Sequence, residues 1–302
     1  MGINTGFAKF LFYCKTQGVN FDRTLTLGRQ KLYISKNELA KELLSLDYMA
    51  DLSDIASANG YSEQLFKILG SGKLDSIDYS DYEGANIIYD LNKAISSDLY
   101  NAYSVVLDSG TLEHVFNFPV AIRNCMLAVQ EGGYFIAITP TNNMMGHGFY
   151  QFSPELYFRI FSVDNGFNTE LALIGICDKK GEIIKWYRVK DPQEVKQRVI
   201  LSNQHQTYLL ILARKINTVE IFKQNPYQSD YVVSWESSAA TKAHQKSEAK
   251  KELKKILPRF LVAFVSRILS INKNKMTVNE YMGKYNSNHF TEFSFPPDLH
   301  QS

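Results

Sequence analysis

The sequence lacks several features that mark particular classes of protein. Its only cysteines among 302 residues are Cys14, Cys125 and Cys177, and their spacing matches no metal-binding motif. We therefore expect buried free thiols, a reducing cytoplasm and no bound metal. No uncharged apolar run reaches the roughly 20 residues that a membrane span needs, and the N-terminus has no secretory signal pattern. These absences argue against a secreted disulfide scaffold and against an integral membrane protein.

A strong excess of charge of either sign is also missing. The chain has 33 basic and 31 acidic residues, so its formal net charge is only +2. A protein that binds nucleic acid over a broad surface needs a larger basic excess, and we expect no nucleic-acid partner. The aromatic share of 13% is high, which fits either an aromatic core or a surface that binds sugars or bases. The length suits one α/β domain with an appendage, or two small domains.

Strand-like and helix-like segments alternate along most of the chain. Periodicity and capping residues predict helices at 2–16, 35–46, 63–69, 118–129 and 154–161. Apolar runs predict strands at 23–28, 73–78, 86–90, 103–108, 134–139, 167–177, 183–189 and 207–215. Pro140 is expected to stop the strand that begins after the turn Glu131-Gly-Gly133. This alternation predicts an α/β fold: a Rossmann-like, doubly wound, mostly parallel sheet with an antiparallel edge.

Three segments are expected along the chain. Residues 1–22 hold an N-terminal helix, residues 23–216 the α/β domain, and residues 217–302 a helical and irregular C-terminal extension. Within the extension, 250–269 reads as a basic amphipathic helix, and the tail from Asn272 onward as irregular. Such a helix suits contact with a membrane surface, or packing on the domain or on a second subunit of a homodimer.

The predicted strands end in residues that suit a ligand. Ligands of open parallel sheets bind at the carboxyl ends of the strands. Gly28 ends the first strand and lets the backbone approach a ligand closely. Asp78, Asp90 and Asp108 end the next three, where carboxylates can accept hydrogen bonds from a ribose or an amine. The alternative is that these acids belong to ordinary solvated turns.

Three segments resemble a known family. They are Ser109-Gly-Thr-Leu-Glu-His-Val115, Glu131-Gly-Gly-Tyr-Phe-Ile136 and Thr139-Pro-Thr-Asn142. Together they resemble class I S-adenosylmethionine-dependent methyltransferases of the "methyltransferase domain 11" kind, over about residues 20–216. The segment Gly146–Glu155 is similar to bacterial members associated with surface-glycan clusters. The resemblance implies a cytoplasmic enzyme with S-adenosylmethionine as cofactor, acting in polysaccharide biosynthesis.

The resemblance also implies a cofactor site, whose residues would be Gly28, Arg29, Asp78, Asp90, Leu91, Asp108, Ser109 and Gly110. The first loop departs from the family pattern, because it has a single glycine where the family has several. About 50 residues separate Gly28 from Asp78, roughly twice the usual number. Either Arg29 and Gln30 replace the missing backbone contacts with side-chain contacts to a carboxylate, or the site is degenerate and binds nothing.

The loop from Asn142 to Ser153 is expected to face the acceptor. His147 lies between two glycines and is the candidate general base for removing a proton from a hydroxyl. Its alternative is a loop histidine that caps the following helix. His114, Asn142, Tyr150 and Gln151 are expected to contact the substrate, although His114 also suits a role in orienting its own turn.

Two functions follow from these expectations. The first is O-methylation of a sugar or glycan precursor; the alternative is a methyltransferase-like binding or scaffold protein without catalysis. Methylation of nucleic acid is disfavoured by the near-neutral charge and by the lack of an Asn-Pro-Pro-Tyr-like motif after the fourth strand.

Overall fold

A nine-stranded mixed sheet forms the centre of the molecule. The computed structural model describes residues 2–52, 55, 60–232, 235 and 276–295. Its sheet has the strand order β14-β9-β8-β11-β7-β6-β2-β4-β5. The strands of this sheet are β2 (Arg23–Leu27), β4 (Lys73–Asp78), β5 (Ile87–Ile88), β6 (Tyr103–Ser109), β7 (Val129–Asn142), β8 (Phe167–Cys177), β9 (Ile183–Val189), β11 (Thr207–Lys215) and β14 (Phe290–Glu292).

Helices cover both faces of this sheet. The helices are α1 (Thr5–Thr16), α2 (Lys36–Leu44), α3 (Glu63–Ile68), α4 (Phe118–Ala128), α5 (Pro154–Ile160) and α6 (Pro192–Val195). One core joins α1, α2 and α3 to the face that carries Val105 and Leu107. The other joins α4 and α5 to the opposite face, which carries Val106 and Phe135. Alternate residues of each strand thus enter different cores, as the pleat requires.

Six short strands lie outside this pattern or at its edge. The strands β1 (Gly2–Ile3) and β3 (Lys31–Leu32) pair in parallel. A separate antiparallel sheet joins β10 (Leu201–Ser202), β13 (Gly283–Asn286) and β12 (Met276–Asn279). At the edge of the main sheet, β14 pairs antiparallel with β9.

The chain reverses its direction of winding between β2 and β6. From β2 it moves outward to β4 and β5, then returns to place β6 on the other side of β2, with all these pairs parallel. This is a topological switch point, and the carboxyl ends of the two strands border a crevice there. The α/β, doubly wound, Rossmann-like sheet expected from the sequence is therefore confirmed, as is the antiparallel edge formed by β8, β9 and β11.

Two local expectations are wrong. Pro140 does not stop its strand, because β7 runs from Val129 to Asn142 and includes the expected turn at residues 131–133. The missing N–H is tolerated because the neighbouring β6 already ends opposite Ile138, and because β11 has an irregular register beside Pro140. The tail is not irregular throughout either, since residues 276–292 contain β12, β13 and β14.

The remaining expectations concern the cysteines and the C-terminal extension, part of which lies outside the described residues. All three cysteines are free and buried, as expected. The basic helix expected at 250–269 lies outside the described residues, and so do its membrane or dimer contacts. No described helix combines the length and apolarity needed to cross a membrane. The domain boundary near residue 217 stays a prediction.

Candidate functional site

The crevice between β2 and β6 brings Gly28 beside the segment Asp108–Gly110. Leu27 and Asp108 are register partners, so the residues that follow each strand are neighbours. Gly28 has a φ of 70°, and its N–H donates to the Ile77 carbonyl over 2.7 Å. Gly110 has a φ of 89°. Residues that carry a side chain rarely adopt such positive φ angles, so glycine is needed where the chain leaves each strand.

The residues after Gly28 already have partners within the protein. The Arg29 guanidinium donates to Glu63 Oε1 over 2.6 Å and to the Glu83 carbonyl, and it covers the Tyr61 ring at 3.9 Å. Gln30 is buried, and its amide donates to the carbonyls of Leu27 and Gly28. Both side chains therefore shape the loop, and the expected contact of Arg29 with a cofactor stays a prediction.

Two of the strand-end acids lie where the sequence placed them, at the ends of β4 and just after β5. Asp78 Oδ1 accepts from the Tyr79 N–H over 2.7 Å. Asp90 Oδ1 accepts from the backbone and side chain of Asn92, and these bonds hold the pKa of its carboxyl below the usual value. Leu91 is buried beside Ile77 and Leu27 in the sheet core. Leu91 thus belongs to the core directly after Asp90, and its expected contact with an adenine stays a prediction.

Asp108 is more deeply buried than Asp78 and Asp90. It is fully buried at the end of β6, and its Oδ1 accepts from the N–H groups of Thr111 and Leu112. Oδ2 and the hydroxyl of the neighbouring Ser109 have no hydrogen-bond partner among the described residues. Burial raises the pKa of the Asp108 carboxyl above its usual range. Polar atoms left unpartnered in this way require an explanation, and a bound ligand is one.

Glu113 and His147 meet across two loops. Glu113 follows β6 and has a fully buried side chain, whereas His147 follows β7 and is about half exposed. His147 Nε2 lies 3.3 Å from Glu113 Oε1, but neither carboxylate oxygen takes a hydrogen bond among the described residues. Burial, and next the charge of Asp108, raise the pKa of the Glu113 carboxyl. The His114 ring lies 5.2 Å from the His147 ring.

The backbone of Glu113 holds the His147 loop in place. Its carbonyl accepts from the N–H groups of Phe149, over 2.7 Å, and Tyr150, over 3.2 Å. Gly148 lies against the same carbonyl with a φ of 78°, and a Cβ there would come within 2.7 Å of that oxygen. Only glycine allows this close approach. Backbone contacts therefore keep His147 close to Glu113.

The other expected substrate residues mainly organise this loop. Asn142 donates to Asn203, Gln151 accepts from the Met144 N–H, and the Tyr150 hydroxyl donates to the Phe116 carbonyl. Sequence reasoning missed the exposed Phe116 and Phe149, whose rings meet edge to face at 5.9 Å at the rim of the site. It also missed the buried Tyr157, whose hydroxyl interacts with the side chain of Thr139 near the end of β7.

These residues together define a class of site. It is a Rossmann-like crevice with a glycine turn, carboxylates at successive strand ends and a glutamate–histidine pair at the end nearest β7. No family model and no curated protein sequence matches the chain.

Solved structures resemble the chain in fold alone. TehB from Haemophilus influenzae is 12% identical, with a TM-score of 0.37 over 68% of this chain and 61% of that one. The 1,6-didemethyltoxoflavin N1-methyltransferase of Burkholderia thailandensis, crystallised with S-adenosylhomocysteine, is 11% identical, with a TM-score of 0.38 over 70% and 78%. The branched-chain polyamine synthase of Thermus thermophilus, with bound 5'-methylthioadenosine, is 10% identical, with a TM-score of 0.37 over 74% and 60%. Likeness at this distance assigns no function to this chain.

Proposed function

We propose that this chain is an S-adenosylmethionine-dependent methyltransferase that methylates a hydroxyl group of a sugar or glycan precursor. The observation that carries the proposal is the composition of one sheet edge. Gly28, Asp78, Asp90 and Asp108 follow four strands around the topological switch point, which is where α/β sheets bind ligands. Sequence resemblance to class I methyltransferases supports the same cofactor.

The residues present fit this cofactor at both of its ends. Asp78 and Asp90 offer carboxylates to a ribose and to an adenine amine, and the apolar Leu91 follows Asp90. Asp108 Oδ2 and Ser109 Oγ are buried without partners at the other end of the crevice. When bound, S-adenosylmethionine supplies an electrophilic methyl group on a positively charged sulfur. The buried carboxylates of Asp108 and Glu113 favour a cation in their neighbourhood.

The acceptor side supports transfer to oxygen. The acceptor hydroxyl gives its proton to the imidazole of His147 as its oxygen takes the methyl group, and the carbon–sulfur bond breaks. Glu113, 3.3 Å away, orients that imidazole and stabilises the imidazolium. The exposed rings of Phe116 and Phe149 offer an apolar surface for one face of a sugar ring.

Calorimetry with S-adenosylhomocysteine tests the cofactor. We expect saturable binding of one equivalent to the full chain, and a loss of at least tenfold in affinity for Asp78→Ala. The matched control is Asp98→Ala, because Asp98 lies before β6, at the opposite edge of the sheet. Equal affinities for the two variants would contradict the assigned ribose position.

The alternative is a methyltransferase-like scaffold without catalysis. It is favoured by the contacts of Arg29 and Asp90, whose charged groups are already engaged within the protein. A folded sample that shows no binding of S-adenosylhomocysteine would support this alternative and overturn the methyltransferase.

A further inference from the structure

We propose that Glu113, His114 and His147 bind a divalent first-row transition metal ion. Each of the three residues offers one ligand atom, and these atoms all lie within 4.8 Å of one another. The cluster combines a carboxylate oxygen with two imidazole nitrogens. No metal was expected from the sequence, because the ligands come from two loops that follow different strands.

The state of Glu113 is a second observation that points to a cation. Its side chain is only 1% exposed, yet both carboxylate oxygens lack a hydrogen bond among the described residues. Charged side chains are almost never buried in this way unless they are paired or bind a metal. Asp108, a second buried acid whose pKa burial also raises, lies close enough to act electrostatically on Glu113. A divalent cation at this position would supply the missing partner of the Glu113 carboxylate, and it would also interact favourably with Asp108.

The donor set indicates which ions fit. Imidazole nitrogens suit zinc, iron, cobalt and related ions, whereas magnesium and calcium prefer sites made of oxygen. Two histidines and one glutamate also leave at least one coordination position open, as in catalytic zinc sites. His114 and His147 are both exposed, so the open position faces solvent rather than the core.

Only the side chains need to move for an ion to bind. Bonds of about 2.0–2.2 Å place neighbouring ligand atoms about 3.3 Å apart, so the widest separation must shrink by about 1.5 Å. The separation of His147 from Glu113 already has this value, at 3.3 Å. The exposed ring of His114 can rotate to close the rest. The backbone bonds from Phe149 and Tyr150 to Glu113 hold the two loops together meanwhile.

A metal here would change how the acceptor is activated, a consequence that rests on the proposed methyltransferase function. An acceptor hydroxyl at the open position would lose its proton more readily, because a bound divalent ion lowers the pKa of its oxygen ligands. His147 would then hold the ion instead of serving as the base. Metal binding itself requires no methyl transfer.

Titration with Co²⁺ tests the site in the full chain, prepared without an affinity tag and stripped with a chelator. We expect one equivalent to bind, with absorption bands of a nitrogen- and oxygen-ligated ion, and Zn²⁺ to displace it. Mg²⁺ at the same concentration should not. His114→Asn, His147→Asn and Glu113→Gln should each weaken Co²⁺ binding at least tenfold. His205→Asn is the matched control, since His205 lies on another loop and contacts the Cys177 carbonyl.

The outcomes separate this proposal from the methyltransferase. Absence of saturable Co²⁺ binding, or binding that His114→Asn and His147→Asn leave unchanged, overturns the metal site. Because His114 and His147 are exposed, these variants keep the test valid even if Glu113→Gln fails to fold. Co²⁺ binding without S-adenosylhomocysteine binding supports the metal site and overturns the methyltransferase. Binding of S-adenosylhomocysteine without Co²⁺ does the reverse and leaves His147 as the base.

Discussion

Two buried charged side chains lie at opposite edges of the same sheet, in contrasting surroundings. Lys215 ends β11 at the edge where the parallel strands begin, and it is 2% exposed. Its ammonium donates to the Asn101 side chain and to the carbonyls of Met126 and Val129, over 2.8–3.1 Å. Glu113 lies at the other edge, and its carboxylate takes no hydrogen bond from the described residues.

The contrast separates a structural charge from a functional one. Lys215 joins β11 to the end of α4 and the start of β7, so the fold itself uses its charge. Glu113 is buried beside His147 but takes no hydrogen bond from the described residues, and burial raises the pKa of its carboxyl, so the fold disfavours its charged form. Groups held in this costly state cluster at functional sites. Substitutions test whether a buried charged group with hydrogen-bond partners has a structural role and one without them a functional role.

Substitution of Lys215 should have the largest effect on stability. Lys215→Met keeps the apolar stem but leaves three acceptors unpaired, two of them backbone carbonyls. We expect the free energy of unfolding to fall by about 2–4 kcal/mol, because each orphaned buried acceptor costs about 1–3 kcal/mol and loss of the buried charge offsets part. Urea denaturation measures it. Lys185→Met, which breaks an exposed pair with Glu292, is the control and should cost under about 1 kcal/mol.

Lys215 should also give the protein a distinctive pH dependence. Burial lowers the pKa of Lys215 from 10.5 to about 8 in the folded state. Between these values the unfolded chain holds a proton that the folded chain has released, so stability rises with pH across the window. The difference in unfolding free energy between the wild type and Lys215→Met should therefore grow from pH 8 to 10. A difference that shrinks would mean that the three acceptors retain the proton.

The fold could be predicted well because its central strands carry apolar runs, such as Val105-Val106-Leu107 in β6 and Leu209-Leu210-Ile211-Leu212-Ala213 in β11. The bounds of β8, β9 and β11 match those expected, since each run is ended by polar or charged residues. Local pattern failed for β14, a three-residue strand that exists only through its pairing with β9. It failed for Pro140 too, because a strand tolerates proline where the neighbouring strands take no regular hydrogen bond from that residue.

Most residues of the candidate site could be predicted from the sequence, but their contacts with one another could not. His147, His114 and the strand-end acids were all identifiable from the sequence. The proximity of Glu113 to His147 was not, because it depends on backbone bonds between loops that are 34 residues apart. The contacts of Arg29 were equally hidden, since Glu63 and Glu83 lie in the long insertion and beyond it.

Neutralising Glu113 should leave the fold intact or strengthen it. Glu113→Gln removes a buried carboxyl that takes no hydrogen bond and whose charged form burial disfavours, so we expect the free energy of unfolding to stay equal or rise by up to about 1 kcal/mol. Glu155 is the matched acid, because it accepts two hydrogen bonds from Ser229 and pairs with Arg159. Glu155→Gln should lower stability by about 1 kcal/mol. The contrast fails if Glu113→Gln is the more damaging of the two.

The smallest effect on stability and on cofactor affinity is expected for substitution of Arg29. Its charge is only partly buried, whereas those of Lys215 and Glu113 are fully buried. Its guanidinium is paired with Glu63, bonded to the Glu83 carbonyl and stacked on Tyr61, so its charge is already used. Arg29→Ala should cost under about 1 kcal/mol, as exposed pairs do, and should change the affinity for S-adenosylhomocysteine less than threefold. Calorimetry beside Asp78→Ala measures the second quantity. A loss as large as that of Asp78→Ala would show that Arg29 exchanges its partners for the cofactor, and that pairing in the free protein does not identify a structural charge.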